Sequence, residues 1–204
     1  MIFAHDEEIS EEELRDKVAE ILSEEDDPPL MGLGAELSEE SATTLAMALL
    51  QFNGGMIRAT SDDITDQRDI EFFISSGGGS VNDMFTVYDL MTLVKRNRDI
   101  ATFGFGKIYS AAVPLLAAGT KGKRYIGRNS RVMLHHCSTS TTGTQPDVRA
   151  SFQEMKKVED MMVAVLAESS ELSAGEIYNI LSRNTDEFFS AQDALEMGIV
   201  DEII

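Results

Sequence analysis

Short apolar runs alternate with longer amphipathic segments through most of the chain after residue 30. The run IEFFI at Ile70–Ile74 has the length and the β-branched and aromatic content typical of a buried strand. The segment Val81–Arg96 instead repeats apolar residues every three or four positions, which is the period of an amphipathic helix. Strands that alternate with helices in this way predict an α/β fold with a mainly parallel sheet.

The same patterns predict the remaining elements. We expect further strands at Leu30–Leu37 (with a turn), Ile100–Gly104, Tyr125–Ile126 and Arg131–His135, and helices at 38–52, 148–168, 173–182 and 191–197. Ser38 and Ser80 are suited to cap the helices that follow them, and Gly198 is suited to end the last helix. Polar stretches at 53–69 and 138–147 are expected to be connections.

Residues 1–29 differ from the rest of the chain in charge. Fifteen of the 36 acidic residues, against two basic ones, lie within residues 1–40, and the net charge of the whole chain is −19. Ser10 begins a capping-box pattern before a short amphipathic helix, which Pro28 would end. We predict an acidic arm over 1–29 and one domain over 30–204. Such acidity argues against nucleic acid or an anionic membrane as a partner.

Composition limits the class of protein further. A chain of 204 residues with 43% hydrophobic content predicts one soluble domain with a sizeable core. The start lacks the pattern of a secretory signal, and no apolar run is long enough to cross a bilayer. The single cysteine, Cys137, excludes an internal disulfide and fits a reducing compartment, so we expect a cytoplasmic location. Without a Cys/His cluster, neither a metal nor another cofactor is predicted.

The stretch FGFGKIYSAAVPLLAAG at Phe103–Gly119 carries the candidate chemistry. A helix that starts at Ser110 would direct its unpaired N–H groups toward the serine, as a nucleophile or an oxyanion hole requires. Ser110 could equally be an ordinary helix N-cap. A serine nucleophile also needs a base and an orienting group, for which His135, His136 and several aspartates are candidates. The residues alone therefore indicate a serine hydrolase without deciding its triad.

Four ordered blocks resemble the proteolytic subunit of the Clp protease. They are FFISSGGGSVNDMFTVYDLM, GFGKIYSAAVPLLAAG, GKRYIGRNSRVMLHH and TDEFFSAQDALEMGIVDEII. The resemblance implies a ClpP/crotonase-like α/β fold of stacked β-β-α units with a long protruding handle helix. The chain also departs from the family pattern, with Gly77 in place of a proline and Thr185 in place of an arginine. We therefore expect a divergent member.

The resemblance also implies roles for individual residues. Ser110 takes the place of the nucleophile, His135 that of the base and Asp186 that of the third triad member, while His136 falls on the following, non-catalytic position. Backbone N–H groups of Gly78 and Ala111 would form the oxyanion hole. Substrate would pair with the backbone near Gly79, Ser80 and Ser138.

An assembly and its partners follow from the same resemblance. Two stacked heptameric rings would enclose the active sites, peptides would enter freely, and unfolded proteins would be supplied by an AAA+ unfoldase. Two other hypotheses stay open. The chain could be a catalytically latent ring subunit or adaptor that recruits a partner through its acidic arm. It could also be an acyl-CoA-processing enzyme of the related crotonase fold.

Overall fold

The computed structural model describes residues 28–55, 68–183 and 185–204. The strands in these ranges are β1 (Leu30–Leu33), β2 (Ile70–Ser76), β3 (Ile100–Tyr109), β4 (Arg124–Ile126), β5 (Arg131–Leu134), β6 (Glu187–Ser190) and β7 (Glu202–Ile203). The helices are α1 (Glu39–Phe52), α2 (Val81–Val94), α3 (Ala112–Ala117), α4 (Gln145–Ser169), α5 (Ala174–Leu181) and α6 (Ala191–Glu196). The predicted helix after Ser10 and the middle of the 53–69 connection lie outside the described residues.

The strands form one mainly parallel sheet with the order β1-β2-β3-β4-β7. The long strand β3 pairs with β4 through its first half and with β5 through its second half. Strand β6 then adds to β5 in the antiparallel direction. This mixed α/β arrangement confirms the predicted fold class.

Strand β3 is five residues longer than predicted. The expectation ended it at Gly104, because the glycines of FGFG interrupt the apolar pattern. In the structure, the backbone passes through Gly106 at a φ of +69°, and the Gly106 N–H donates to Ser130 Oγ at 3.0 Å. Glycine adopts this backbone without a Cβ penalty, so the strand bends there and continues to Tyr109.

Side-chain caps fix the starts of two predicted helices. Ser38 Oγ accepts the backbone N–H of Ser41, and Ser41 Oγ accepts the N–H of Ser38, so α1 begins after Ser38 as predicted. Ser80 Oγ accepts the N–H of Asp83 at 3.3 Å and sets the start of α2 directly after the glycine turn. The Ser80 cap therefore also fixes where the glycine turn ends.

The helices differ in how much of their surface is buried. All six residues of α3 are buried. Helix α4 has 25 residues and buries only four of them, all in its C-terminal half: Met162, Val163, Val165 and Leu166. Its first turns extend away from the core, as residues 145–150 are all exposed. Among the described helices, none combines the length and apolarity that crossing a membrane requires.

Candidate active site

Three neighbouring strands end at the same edge of the sheet. The glycine turn follows β2, Ser110 follows β3 and His135 follows β5. The carboxyl ends of parallel strands are where α/β folds bind ligands. A cleft of about 970 Å³ opens at this edge, and its lining includes Gly78, Ser110 and His135. Topology thus brings together residues that lie far apart in sequence.

Ser110 occupies a sharp turn between β3 and α3. Its φ is +54°, and no other non-glycine residue in the described ranges has a positive φ. Such backbone costs about 1–3 kcal/mol and persists where surrounding structure holds it, often at functional sites. Here the Ser110 N–H donates to the Met133 carbonyl at 2.8 Å, and the buried helix α3 anchors the other side.

The predicted start of a helix at Ser110 is wrong by two residues. Helix α3 begins at Ala112, and its N-cap is Ala111, which provides no side-chain hydrogen bond. Ser110 is therefore not an N-cap, and its hydroxyl is directed elsewhere. Pro114 lies in the first turn of α3, where a backbone N–H has no intrahelical acceptor, so it does not disrupt the helix.

The hydroxyl of Ser110 meets the imidazole of His135. Ser110 Oγ lies 2.8 Å from His135 Nε2, the distance of a hydrogen bond. On the other side of the ring, His135 Nδ1 is 3.4 Å from Asp186 Oδ1, which is longer than an ordinary N–H···O bond. Catalytic hydrogen bonds are often long before substrate binds. The three predicted triad residues are thus neighbours, with Asp186 held more loosely and 55% of its side chain exposed.

Strand register explains why Asp186 reaches His135. The antiparallel ladder between β5 and β6 pairs Leu134 with Glu187. The residues that immediately flank this pair, His135 and Asp186, are consequently adjacent. Strand β6 was not predicted from the sequence, although EFFS combines two aromatic residues in a run of four.

The glycine turn passes directly beneath the nucleophile. Gly78 has a φ of +86°, and a Cβ at this position would lie 2.8 Å from the Cβ of Ser110 and 3.0 Å from the Ala111 nitrogen. No larger residue fits there without moving the serine. The buried hydroxyl of Ser76, which sequence reasoning missed, supports the turn: it accepts the Gly78 N–H at 3.1 Å and donates to the Ala35 carbonyl at 2.6 Å.

Two other backbone N–H groups beside the serine have no acceptor within the described residues. One belongs to Ala111, which follows the nucleophile. The other belongs to Gly79, which forms a parallel bridge with Leu37. In that bridge Leu37 bonds the Gly78 carbonyl and the Ser80 N–H, so the N–H of Gly79 points away from Leu37. Gly79 also lines the cleft, whereas Ala111 is buried directly after the serine.

The predicted substrate-binding residues line the same cleft as the serine. Gly79, Ser80 and Ser138 all contribute to its wall. Lys107 also lines the cleft, near Gly77, and its amino group would be 4.0 Å from a Cβ at that glycine. The wall combines glycines and short polar side chains with apolar ones such as Met155 and Val158 and a few charged groups.

His136, the alternative base, faces away from the serine. Its Nδ1 lies 2.9 Å from Oε2 of Glu159, a residue of α4 that sequence reasoning did not single out. The same oxygen accepts the backbone N–H of Cys137 at 2.9 Å. Burial raises the pKa of Cys137 to about 11, and the Glu159 charge adds to this effect. The Cys137 thiol is therefore uncharged at neutral pH. Of the two neighbouring histidines, His135 is the one that contacts Ser110.

Comparison with known proteins identifies the relatives of this chain. The family model for Clp protease matches residues 12–204. The chain belongs to the Clp protease family. It is 34% identical over 190 residues to "ATP-dependent Clp protease proteolytic subunit 1" of Corynebacterium jeikeium, covering 93% of each chain. It is also 34% identical over 174 residues to the protein of the same name from Leifsonia xyli, covering 85% of this chain and 82% of the relative.

A third relative gives the same result. The chain is 33% identical over 175 residues to "ATP-dependent Clp protease proteolytic subunit 2" of Bifidobacterium longum, covering 86% of this chain and 78% of the relative. The family match starts at residue 12, upstream of the domain that the sequence predicted over 30–204. Family membership thus extends over nearly the whole chain.

Proposed function

We propose that this member of the Clp protease family is a serine-type endopeptidase that uses Ser110, His135 and Asp186. The observation that carries the proposal is the 2.8 Å contact between Ser110 Oγ and His135 Nε2 at a strained turn. Asp186 accepts from the Nδ1–H of His135, which leaves Nε2 free to take the serine proton. Asp186 then stabilises the imidazolium that forms.

The reaction begins with attack on a peptide carbonyl. A bond forms between Ser110 Oγ and the carbonyl carbon, and the hydroxyl proton moves to His135 Nε2. The C–N bond then breaks as His135 returns this proton to the leaving amine. Water, deprotonated by His135, releases the acyl group from Ser110 in the second half of the reaction.

Backbone donors stabilise the negative oxygen of the tetrahedral intermediate. The Ala111 N–H is one donor, in agreement with the sequence-based expectation. Gly78 was expected to provide the other, but its N–H is engaged by Ser76. Gly78 could donate to the oxyanion only by giving up its hydrogen bond to Ser76, whereas the Gly79 N–H has no bond to give up among the described residues. We therefore assign the second oxyanion donor to Gly79 as long as the Gly78–Ser76 bond is kept. Loss of one oxyanion donor typically lowers kcat by about 10²–10³-fold.

Substrate binds as an extended chain along the cleft. Gly79, Ser80 and the segment at Ser138 all contribute to the wall of this cleft. Pairing with backbone groups recognises the peptide main chain more than its side chains. This favours broad specificity toward peptides and unfolded polypeptides.

The crotonase-type alternative is less favoured, because an acyl-CoA-processing enzyme of that fold does not require a serine, a histidine and an aspartate at these three positions.

The assembly that we propose consists of two stacked heptameric rings served by an AAA+ unfoldase in the cytoplasm. The relatives carry the names of subunits of an ATP-dependent protease. The first half of α4 exposes apolar side chains that packing against another subunit would cover, among them Phe152, which is 60% exposed. Ring formation would enclose the cleft.

Labelling with a fluorophosphonate, with peptide mapping and native mass spectrometry in parallel, tests the proposal. We expect modification of Ser110 within a large assembly and hydrolysis of a fluorogenic peptide. The Ser110→Ala variant should assemble normally and lose hydrolysis and labelling, because only the nucleophilic oxygen is removed. Unchanged turnover in Ser110→Ala would contradict the assignment. An unlabelled ring would instead identify a latent subunit.

A further inference from the structure

Glu159 connects the long helix α4 to the segment that carries the catalytic histidine. Its side chain is only 15% exposed, and a single oxygen, Oε2, receives two hydrogen bonds at 2.9 Å. The donors are the Nδ1–H of His136 and the backbone N–H of Cys137. A carboxylate that accepts hydrogen bonds from two consecutive residues fixes both the side chain of the first and the backbone of the second.

The position of these two residues gives the contact its significance. Strand β5 ends at Leu134, where its pairing with β6 also ends. His135 follows with no ladder partner of its own, and the chain then enters a polar connection that is largely exposed from Ser138 to Thr144. His135 is thus held by the β5–β6 pairing on one side and by the Glu159 contacts on the other.

We infer that Glu159 is a positioning residue that holds His135 in line with Ser110 by anchoring the two residues that follow it. Glu159 does not itself contact Ser110 or His135. Its effect is indirect: without it, the chain after His135 gains freedom, and the 2.8 Å contact with Ser110 is kept for a smaller fraction of the time. Misplacement of reacting groups by about 1 Å can lower a rate by about 100-fold.

The same anchor bears on substrate binding. Cys137 and Ser138 line the same cleft as the glycine turn, and the proposed substrate strand pairs with this backbone. Loosening the segment should therefore raise KM as well as lower kcat. The inference rests on the proposed peptidase function where kcat and KM are the readouts. The positioning role of Glu159 and the peptidase function can nevertheless be tested separately.

Three variants separate the two contacts. Glu159→Ala removes the acceptor of both hydrogen bonds and leaves the Cys137 N–H without this partner. Glu159→Gln keeps an oxygen that can accept this N–H and loses the charge. His136→Ala removes the ring contact alone. Asp160→Asn is the matched control, because Asp160 is the next carboxylate on α4 and accepts the Tyr178 hydroxyl at 2.6 Å instead.

Peptide hydrolysis by the assembled full-length protein measures the effect. We expect kcat/KM to fall by roughly 10- to 100-fold in Glu159→Ala and by less in Glu159→Gln and His136→Ala. Asp160→Asn should match wild type. The rate of fluorophosphonate labelling of Ser110 should fall in the same order. Iodoacetamide should alkylate Cys137, the single cysteine, faster in both Glu159 variants, because both lose a nearby negative charge, and fastest in Glu159→Ala, which also releases the segment.

A purely structural role predicts a different pattern, in which the Glu159 variants lose thermal stability but keep wild-type kcat/KM and labelling rate. That result would overturn the inference, as would an equal loss in Asp160→Asn. If Glu159→Ala fails to assemble, Glu159→Gln and His136→Ala test the inference in its place. Wild-type kinetics in both of these variants would overturn the inference. Failure of the wild-type protein to hydrolyse peptides would refute the proposed function, and the Ser110 labelling rates would then test the positioning role.

Discussion

At the scale of single residues, the active site depends on one glycine that admits no side chain. Gly78 combines a positive φ with close contact to Ser110 and the Ala111 nitrogen. A residue without a Cβ is required both by the backbone conformation and by the space. These two requirements can be separated, because another glycine, Gly122, has a similar φ but open space where a Cβ would lie.

We predict that Gly78→Ala lowers peptide hydrolysis by at least about 100-fold, because the new methyl group displaces the serine turn. Gly122→Ala is the control. Gly122 has a φ of +89°, close to the +86° of Gly78, but a Cβ there meets no atom within 4 Å. This control should lose only the roughly 1–2 kcal/mol of the left-handed backbone and keep its kcat. Equal activity in the two variants would contradict the steric explanation.

The loose contact of Asp186 leads to a second prediction at this scale. Asp186→Asn should leave assembly intact and lower kcat, by up to about 10⁴-fold as in a well-characterised triad, because an amide can stabilise the wrong histidine tautomer. Glu187→Gln is the control: it removes the adjacent carboxylate, which pairs with Arg183 at 2.8 Å instead of with the histidine. Fluorogenic peptide turnover measures both. Near-normal turnover in Asp186→Asn would mean that another group orients His135.

At the scale of elements, local signals predicted more of the structure than long-range pairing did. Helix α1 matches its predicted bounds because Ser38 and its capping partner Ser41 are only three residues apart in sequence. Strands β6 and β7 were missed because they have four and two residues and are stabilised by pairing with β5 and β4. The contact between His135 and Asp186 depends on that β5–β6 register, which no local pattern specifies.

Helix α4 shows where a functional signal was present but not used. Residues 155, 159, 162, 163 and 166 recur at helical spacing, and all except Glu159 are apolar. A lone carboxylate within an apolar stripe predicts a buried partner, since burying an unpaired charge is unfavourable. The sequence therefore indicated that Glu159 has a partner, but only the fold shows that His136 and Cys137 are the partners.

At the scale of the whole molecule, an ion pair between buried Arg124 and partly buried Asp201 joins the end of the chain to the sheet. The side chain of Arg124 is only 4% exposed and donates from Nη2 and Nε to Asp201 at 2.6 and 2.8 Å. Arg124 also donates to the Ser169 carbonyl at the end of α4. One guanidinium thus links β4, the last helix turn of α4 and the segment before β7.

Stability in acid should depend on this pair. Burial alone would raise the pKa of Asp201, but the hydrogen bonds and charge of Arg124, together with the Gly122 backbone N–H, outweigh burial and lower it. A lowered folded-state pKa stabilises the fold above the unfolded-state pKa of about 3.9. This stabilisation is lost as the pH falls from about 4 through the folded-state pKa. Resistance of the wild-type protein to urea should therefore decrease over that range.

We predict that Asp201→Asn lowers the free energy of unfolding at pH 7 by about 3–5 kcal/mol, because Arg124 stays buried without a counter-charge. The variant should also lose part of the acid dependence that sets in as the pH falls below about 4, since the titrating group is gone. Urea unfolding across this range measures both effects. Glu171→Gln is the control, as its partner Lys121 is 78% exposed and surface pairs contribute little. If the free energy of unfolding of Asp201→Asn depends on pH as in the wild type, other carboxylates determine the acid sensitivity. A weaker pH dependence in the variant would assign the acid sensitivity of this sheet edge to the Arg124–Asp201 pair.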